Sequence, residues 1–305
     1  MLGIPTAAYA QTPGAIIIFV VDESGSMFLE HDFLNQAGSI TSIAIPIESA
    51  LTAEGINNVE FGLVGFGGAN PHLSAHIHQV AGGDFGTAAQ FAIAANGLVL
   101  NGGFEDGWDG IDEALNAYTF PAGVPVQIIL ITDEDRDNNN GALSFNSVSA
   151  DLMSKNALLN VIVNCSFTDG QATILGIIKA TGAEFIADGS GGFNTVVGNP
   201  SISCTGGGGL SEGDYINLAD LNSGAAWNLN QLRAGGLLAD SFSAAFVDIK
   251  VEEIMRMVDP VGGELLPINT TALLLAGVQS ISMWMIPVVI SGAGIGVFVI
   301  MRNRK

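Results

Sequence analysis

What most constrains this chain is the alternation of short, unbroken apolar runs with longer segments of helical periodicity. A run apolar at every position is buried on both faces, and one too short for a helix is then a strand of a parallel sheet with helices packed on each side. Such runs lie at residues 15–21, 59–66, 126–132, 158–167 and 225–229. Helical periodicity fills 33–54, 86–96, 109–118, 143–155, 171–180 and 240–257. Residues 73–80 alternate polar and apolar after the turn Gly67-Gly68-Ala69-Asn70-Pro71, the pattern of an antiparallel edge strand. The expected fold is therefore α/β: a doubly wound, mostly parallel sheet with one antiparallel edge strand.

A Gly-, Ser- and Asn-rich stretch, about 187–213, breaks this rhythm and reads as a long surface insertion with a short hairpin around 184–197. No internal repeat is visible. With 305 residues and 48% apolar content the chain can bury a full core. Its charge is lopsided: before residue 271 stand 30 acidic against six basic residues, a net charge of −24. A body so acidic has no field for nucleic acid or an anionic membrane.

Both ends point outside the cytoplasm. Residues 1–13, with Ala8-Tyr9-Ala10 before Gln11, read as the end of a secretory signal whose start is truncated or misassigned. After a Pro- and Gly-containing linker (258–270), residues 271–301 carry no charge and are long enough to span a bilayer, and the basic tail 302–305 marks the cytoplasmic side. Pro287 divides that span, Trp284 suits headgroup depth, and Gly292 and Gly296 form a weak G-x-x-x-G signal for a homodimer. The expected location is a single-pass membrane protein with an extracytoplasmic body. Cys165 and Cys204 are either bridged or two free thiols, and Asn164-Cys165-Ser166 and Asn269-Thr270-Thr271 match the N-glycosylation acceptor.

Directly behind the first strand stands Asp22-Glu23-Ser24-Gly25-Ser26. A carboxylate followed by hydroxyls at alternate positions on a Gly-containing turn is suited to a divalent cation, although a plain helix cap would use the same residues. Asp133 ends the run Ile128-Ile129-Leu130-Ile131-Thr132. Ligands of open parallel sheets bind beyond the carboxyl ends of the strands, so the two motifs belong to one end of the sheet.

The D-x-S-x-S turn, the apolar run ending in Thr-Asp and the closing segment 215–253 together resemble the von Willebrand factor A domain with its metal-ion-dependent adhesion site, over about residues 14–257. The resemblance implies that the strands ending at Asp22 and at Thr132 are neighbours. It also implies a divalent cation (Mg2+ or Ca2+, with Mn2+ a further candidate) on Asp22, Ser24, Ser26 and Asp133, and a last helix that shifts on ligand binding. The family's third loop supplies a threonine. Here it reads Asn101-Gly102-Gly103-Phe104-Glu105-Asp106-Gly107-Trp108-Asp109-Gly110, and family spacing selects Glu105, with Asp106 as the fallback. Both carboxylates would equally suit a helix amino terminus. Glu105 would make the site richer in carboxylate, raising cation affinity, favouring Ca2+ over Mg2+ and weakening the grip on an acidic ligand.

Glu134 replaces the family's glycine and opens the cluster Glu134-Asp135-Arg136-Asp137, read as a solvated acidic loop in preference to an outer shell or a second cation site. His76 and His78 share one face of the edge strand, but the sequence offers them no third ligand, and a surface location is the favoured reading. The expected function is metal-dependent adhesion or protein binding through a protein or other oxygen-bearing surface ligand. The alternative is a structural or assembly subunit of a cell envelope or particle surface with a purely stabilising metal. No catalytic activity is expected, because no histidine, lysine or cysteine accompanies the metal motifs; Glu23 and Glu105 are the alternative bases for a metal-activated water.

Overall fold

The computed structural model describes residues 14–28, 30–35, 42–170 and 173–258. The leader end, the linker beyond 258, the span 271–301 with Gly292 and Gly296, and the basic tail lie outside the described residues. Among the described residues no helix is long and apolar enough to cross a membrane.

The strands are β1 (Gly14–Asp22), β2 (Asn58–Phe66), β3 (His76–His78), β4 (Val126–Thr132), β5 (Ala157–Val163), β6 (Cys165–Thr168), β7 (Ile174–Ile178), β8 (Ala183–Ala187), β9 (Phe193–Val197), β10 (Ser201–Cys204) and β11 (Ala226–Asn228). The helices are α1 (His31–Leu34), α2 (Ala44–Ala53), α3 (Ala88–Ala94), α4 (Gly107–Asn116), α5 (Phe145–Ser154), α6 (Asn217–Leu221), α7 (Leu229–Arg233) and α8 (Gly236–Val258). Nine strands form one sheet in the order β3-β2-β1-β4-β5-β11-β7-β8-β9. Its centre, β2 to β11, is parallel.

Every residue of β1 is buried. Its side chains alternate between two cores: Ala15, Ile17, Phe19 and Val21 join Phe91, Phe242 and Phe246, while Ile16, Ile18 and Val20 join Ile111, Leu152 and Leu218. Helices α2, α3 and α8 thus cover one face and α4, α5 and α6 the other. Gly110 lets α4 lie close, since a Cβ there would stand 2.5 Å from a methyl of Val20.

Four expectations need correction. The sheet has not one antiparallel edge strand but antiparallel strands at both edges: β3 on β2, and β7-β8-β9 beyond β11. Residues 171–180, expected to be helical, contain β7; a short apolar run such as Ile174–Ile178 satisfies either period, and pairing partners on both sides decide for strand. The expected helix 33–54 is α1 and α2, because Pro46 has no N–H to bond back to Ser42 and is accommodated only in a first turn. The run 158–167 divides at Asn164, and the chain passes from β5 into a second, two-stranded sheet of β6 and β10. There Cys165 and Cys204 are paired partners and are bridged. The hairpin expected around 184–197 is β8-β9.

The closing helix α8 is fixed by a buried polar network. Lys250 and Glu253, almost fully inaccessible, contact each other at 2.5 Å, Lys250 donates to Asn160 of β5, and Gln127 of β4 donates to Glu253 at 2.9 Å. Burial lowers the Lys250 ammonium to about 8, against the attraction of Glu253. Lys250→Met strands a buried carboxylate and should cost about 3–5 kcal/mol, a fall of roughly 10 °C in Tm by circular dichroism. Glu253→Gln in the same chain should restore part of it, because the orphaned charge is then gone.

Candidate metal site

The order β2-β1-β4 reverses the direction of winding between β1 and β4, so a crevice opens at their carboxyl ends. Asp22 and Asp133 flank it. Asp22 is fully buried; its Oδ1 accepts from the Ser24 amide at 2.8 Å and its Oδ2 from the Thr132 hydroxyl at 2.8 Å. The Ser24 and Ser26 hydroxyls are 2.9 Å apart, and Ser26 donates to Asp133 Oδ1 at 2.9 Å. Both serine oxygens keep lone pairs for a cation, and Asp133 acts from behind Ser26.

Glu105 enters the same cluster from the loop before α4. It lies close enough to Asp22 and Ser24 for both to affect its ionisation, and its Oε2 is buried with no hydrogen-bond partner. Asp106 is engaged otherwise. It caps α4 by accepting from the Asp109 amide, and it takes two bonds from Arg136, at 2.7 and 3.1 Å, and one from the Asn140 amide. The five residues Asp22, Ser24, Ser26, Glu105 and Asp133 are therefore brought together, and Asp106 is not among them.

Electrostatics give the cluster its character. Burial raises the Asp22 carboxyl to about 7 despite its hydrogen bonds, and burial followed by the charge of Asp22 raises Glu105 to about 8. Two buried carboxylates of this kind, one with an unpartnered oxygen, are suited to a cation, and the all-oxygen donor set suits a hard one such as Mg2+ or Ca2+.

The loop after β4 is a correction. It is not simply solvated: Asp135 accepts from the amides of Gly208 and Leu210 in the Gly-rich insertion, Arg136 stacks 4.2 Å over Trp108, and Asp137 exchanges bonds with the backbone of Glu105. It fixes the ring of side chains behind Glu105. Three contributors escaped the sequence reading. Thr132 lay inside a recognised motif. His31 donates from Nε2 to the Asp22 carbonyl at 2.9 Å. Arg233, at the end of α7, binds Asp133 at 2.8 Å and pairs with buried Glu30. The only signal for Arg233 was the rarity of basic residues in the body and its position just after the last central strand.

Glu23 turns to a different set of partners. Among the described residues, the one group of at least three His, Cys, Asp or Glu whose ligand atoms converge within 4.8 Å is Glu23, His72, His76 and His78. This corrects the surface reading of His76 and His78: further candidate ligands, His72 and Glu23, come from the turn before β3 and from the residue just after β1.

No family model matches the chain, and no curated protein matches it. Among solved structures it is similar to proximal thread matrix protein 1 from the mussel byssus with a zinc-occupied MIDAS motif, at 18% identity and a TM-score of 0.36, over 50% of this chain and 36% of that one. It is similar also to an aerotolerance-related membrane protein from Bacteroides fragilis, at 17% identity and a TM-score of 0.42, over 80% of this chain and 100% of that one. BatB from Bacteroides thetaiotaomicron gives 16% and 0.41, over 80% and 98%. The chain thus spans about a third of the mussel protein's length.

Asp22 and Glu105 hold protons in the folded metal-free chain to higher pH than in the unfolded chain. The stability they contribute is full below the ordinary carboxylate range and is lost as pH rises through about 7 and then about 8. The Tm of the chelated chain should therefore fall between about pH 5 and about pH 8, and saturating Mg2+ or Ca2+ should flatten that fall. Glu105→Gln should reduce the fall and weaken the cation at least about tenfold by calorimetry.

Proposed function

We propose that this chain is a metal-dependent binding protein of the von Willebrand factor A type, displayed outside the cytoplasm and held to the membrane by residues 271–301. The observation that carries the reading is the convergence of Asp22, Ser24, Ser26, Glu105 and Asp133 around two buried carboxylates at the crevice between β1 and β4. A divalent cation bound there supplies Lewis-acid attraction for a carboxylate or other oxygen of a partner protein. Asp22 and Glu105 contribute the charge that holds it, Ser24 and Ser26 contribute neutral oxygens, and Asp133 orients Ser26. Arg233 and the loop 134–137 keep these groups in register. The Cys165–Cys204 bridge agrees with an oxidising compartment.

A second reading is favoured by Glu105. It adds a third carboxylate where the family pattern has a threonine, so less positive charge remains for an acidic ligand, and the metal would chiefly stabilise the loops of an envelope or assembly subunit. Catalysis forms no part of either reading.

The full chain, immobilised and offered surface extracts in Mg2+, Ca2+ or chelator, should retain a partner only with metal, and Asp22→Ala should abolish retention. Binding that survives both chelation and that substitution overturns the adhesion reading. Loss of thermal stability on chelation with no partner released would support the stabilising one.

A further inference from the structure

The second strand-end carboxylate, Glu23, is as buried as Asp22 but is surrounded by imidazoles. Its backbone is held on both sides, its amide donating to Phe66 at 2.7 Å and its carbonyl accepting from Asn101 at 3.0 Å, while Oε1 accepts from the Val99 amide at 2.8 Å. His76 and His78 alternate along β3, opposite Gly65 and Leu63 of β2, and so face the same way. His72 comes from the turn before them. His72 Nδ1 and His76 Nε2 lie 3.0 and 3.3 Å from Glu23 Oε2, and His78 Nε2 lies 3.1 Å from Oε1. A tetrahedral ion with bonds of about 2.0–2.1 Å sets its ligands about 3.3–3.4 Å apart; each imidazole nitrogen stands near that distance from one or the other carboxylate oxygen, and one ligand atom from each of the four residues lies within 4.8 Å of the rest.

The protons at His76 are the telling detail. Its Nδ1 lies 3.0 Å from the Ser74 carbonyl, which can only accept, so Nδ1 carries a hydrogen. In the neutral ring Nε2 is then a lone pair. That atom is buried, has no hydrogen-bond partner and faces a carboxylate oxygen. Two electron pairs facing each other across 3.3 Å repel, and a metal ion between them relieves that repulsion, as a proton on Nε2 also would. A metal-bound histidine whose other nitrogen donates to a backbone carbonyl has this same arrangement. Space is provided too: a Cβ on Gly65 would stand 2.4 Å from Glu23 Oε2 and 2.7 Å from His78 Nε2, so any other residue would fill the centre.

We propose that Glu23, His72, His76 and His78 form a zinc site, separate from the hydroxyl–carboxylate cluster and independent of its role. Three imidazole nitrogens and one carboxylate oxygen suit Zn2+ and not Mg2+ or Ca2+. Four protein ligands complete a tetrahedron, so the site is structural: it ties the edge strand β3 and the turn 67–72 to the end of β1, one residue from Asp22. Three of the chain's four histidines take part.

The test is titration of the metal-free full chain with Zn2+ and, separately, Co2+. One equivalent of Zn2+ should bind with a dissociation constant below about 1 μM, and Co2+ should give the intense visible absorption of a four-coordinate ion. Asp22→Ala should keep this site, whereas His76→Gln and His78→Gln should each weaken it at least about 100-fold. Zn2+ should also raise the Tm of the unsubstituted chain by about 5 °C or more. Zn2+ binding weaker than about 100 μM, binding indifferent to both histidine substitutions, or the pale spectrum of six-coordinate Co2+ would each overturn the proposal. The Co2+ spectrum of the unsubstituted chain decides even if a variant fails to fold.

Discussion

Two consecutive carboxylates, Asp22 and Glu23, lie fully buried at the end of a strand that is itself buried along its whole length. Removing a charge from water costs several kcal/mol per ion, so an arrangement of this kind persists only where each carboxylate is given a proton, hydrogen-bond donors or a cation. Much of the neighbouring chain serves that need. Ser24 and Thr132 supply donors to Asp22, and His72, His78 and the Val99 amide approach Glu23. The turn after β1, the loop before α4 and the edge strand β3 all supply groups to these two residues.

Because the carboxylates are neighbours in sequence but turn to different partners, one strand end meets two kinds of chemistry. Around Asp22 the candidate metal-ligating atoms are oxygens, from hydroxyls and carboxylates. Around Glu23 three of the four ligand atoms are nitrogen. Donor sets of these two kinds would favour a hard and a borderline cation respectively.

The oxygen cluster is also connected physically to the closing helix. Arg233 ends α7, reaches Asp133 and Glu30, and is followed almost at once by α8. Near its far end α8 is anchored to β4 and β5 through Lys250 and Glu253, with the ammonium near the rings of Trp227 and Phe246. A change at Asp133 therefore has a short covalent and ionic route to a helix held firmly at its other end.

The parallel centre of the sheet and the motifs at Asp22 and Asp133 were legible in the sequence, because unbroken apolar runs and a hydroxyl-rich turn are local patterns with local causes. Glu105 could be chosen over Asp106 only by spacing; in three dimensions Arg136 and Asn140 engage Asp106, whereas Glu105 Oε2 is left without a hydrogen-bond partner. Residues 174–178 show the limit from the other side, since five apolar positions do not determine a period and their partners in β8 and β11 do. Arg233, His31 and the histidine cluster were beyond reach for the same reason. His76 and His78 reveal their shared face through alternation, but Glu23 is more than 50 residues away along the chain and meets them only because β1, β2 and β3 lie side by side. The sequence by itself determined which segments are strands of a buried sheet and that oxygen ligands gather at one of its ends. Which carboxylate meets which partner was decided by tertiary structure alone, because a ligand set is a matter of distances between strands, and sequence separation carries no information about those.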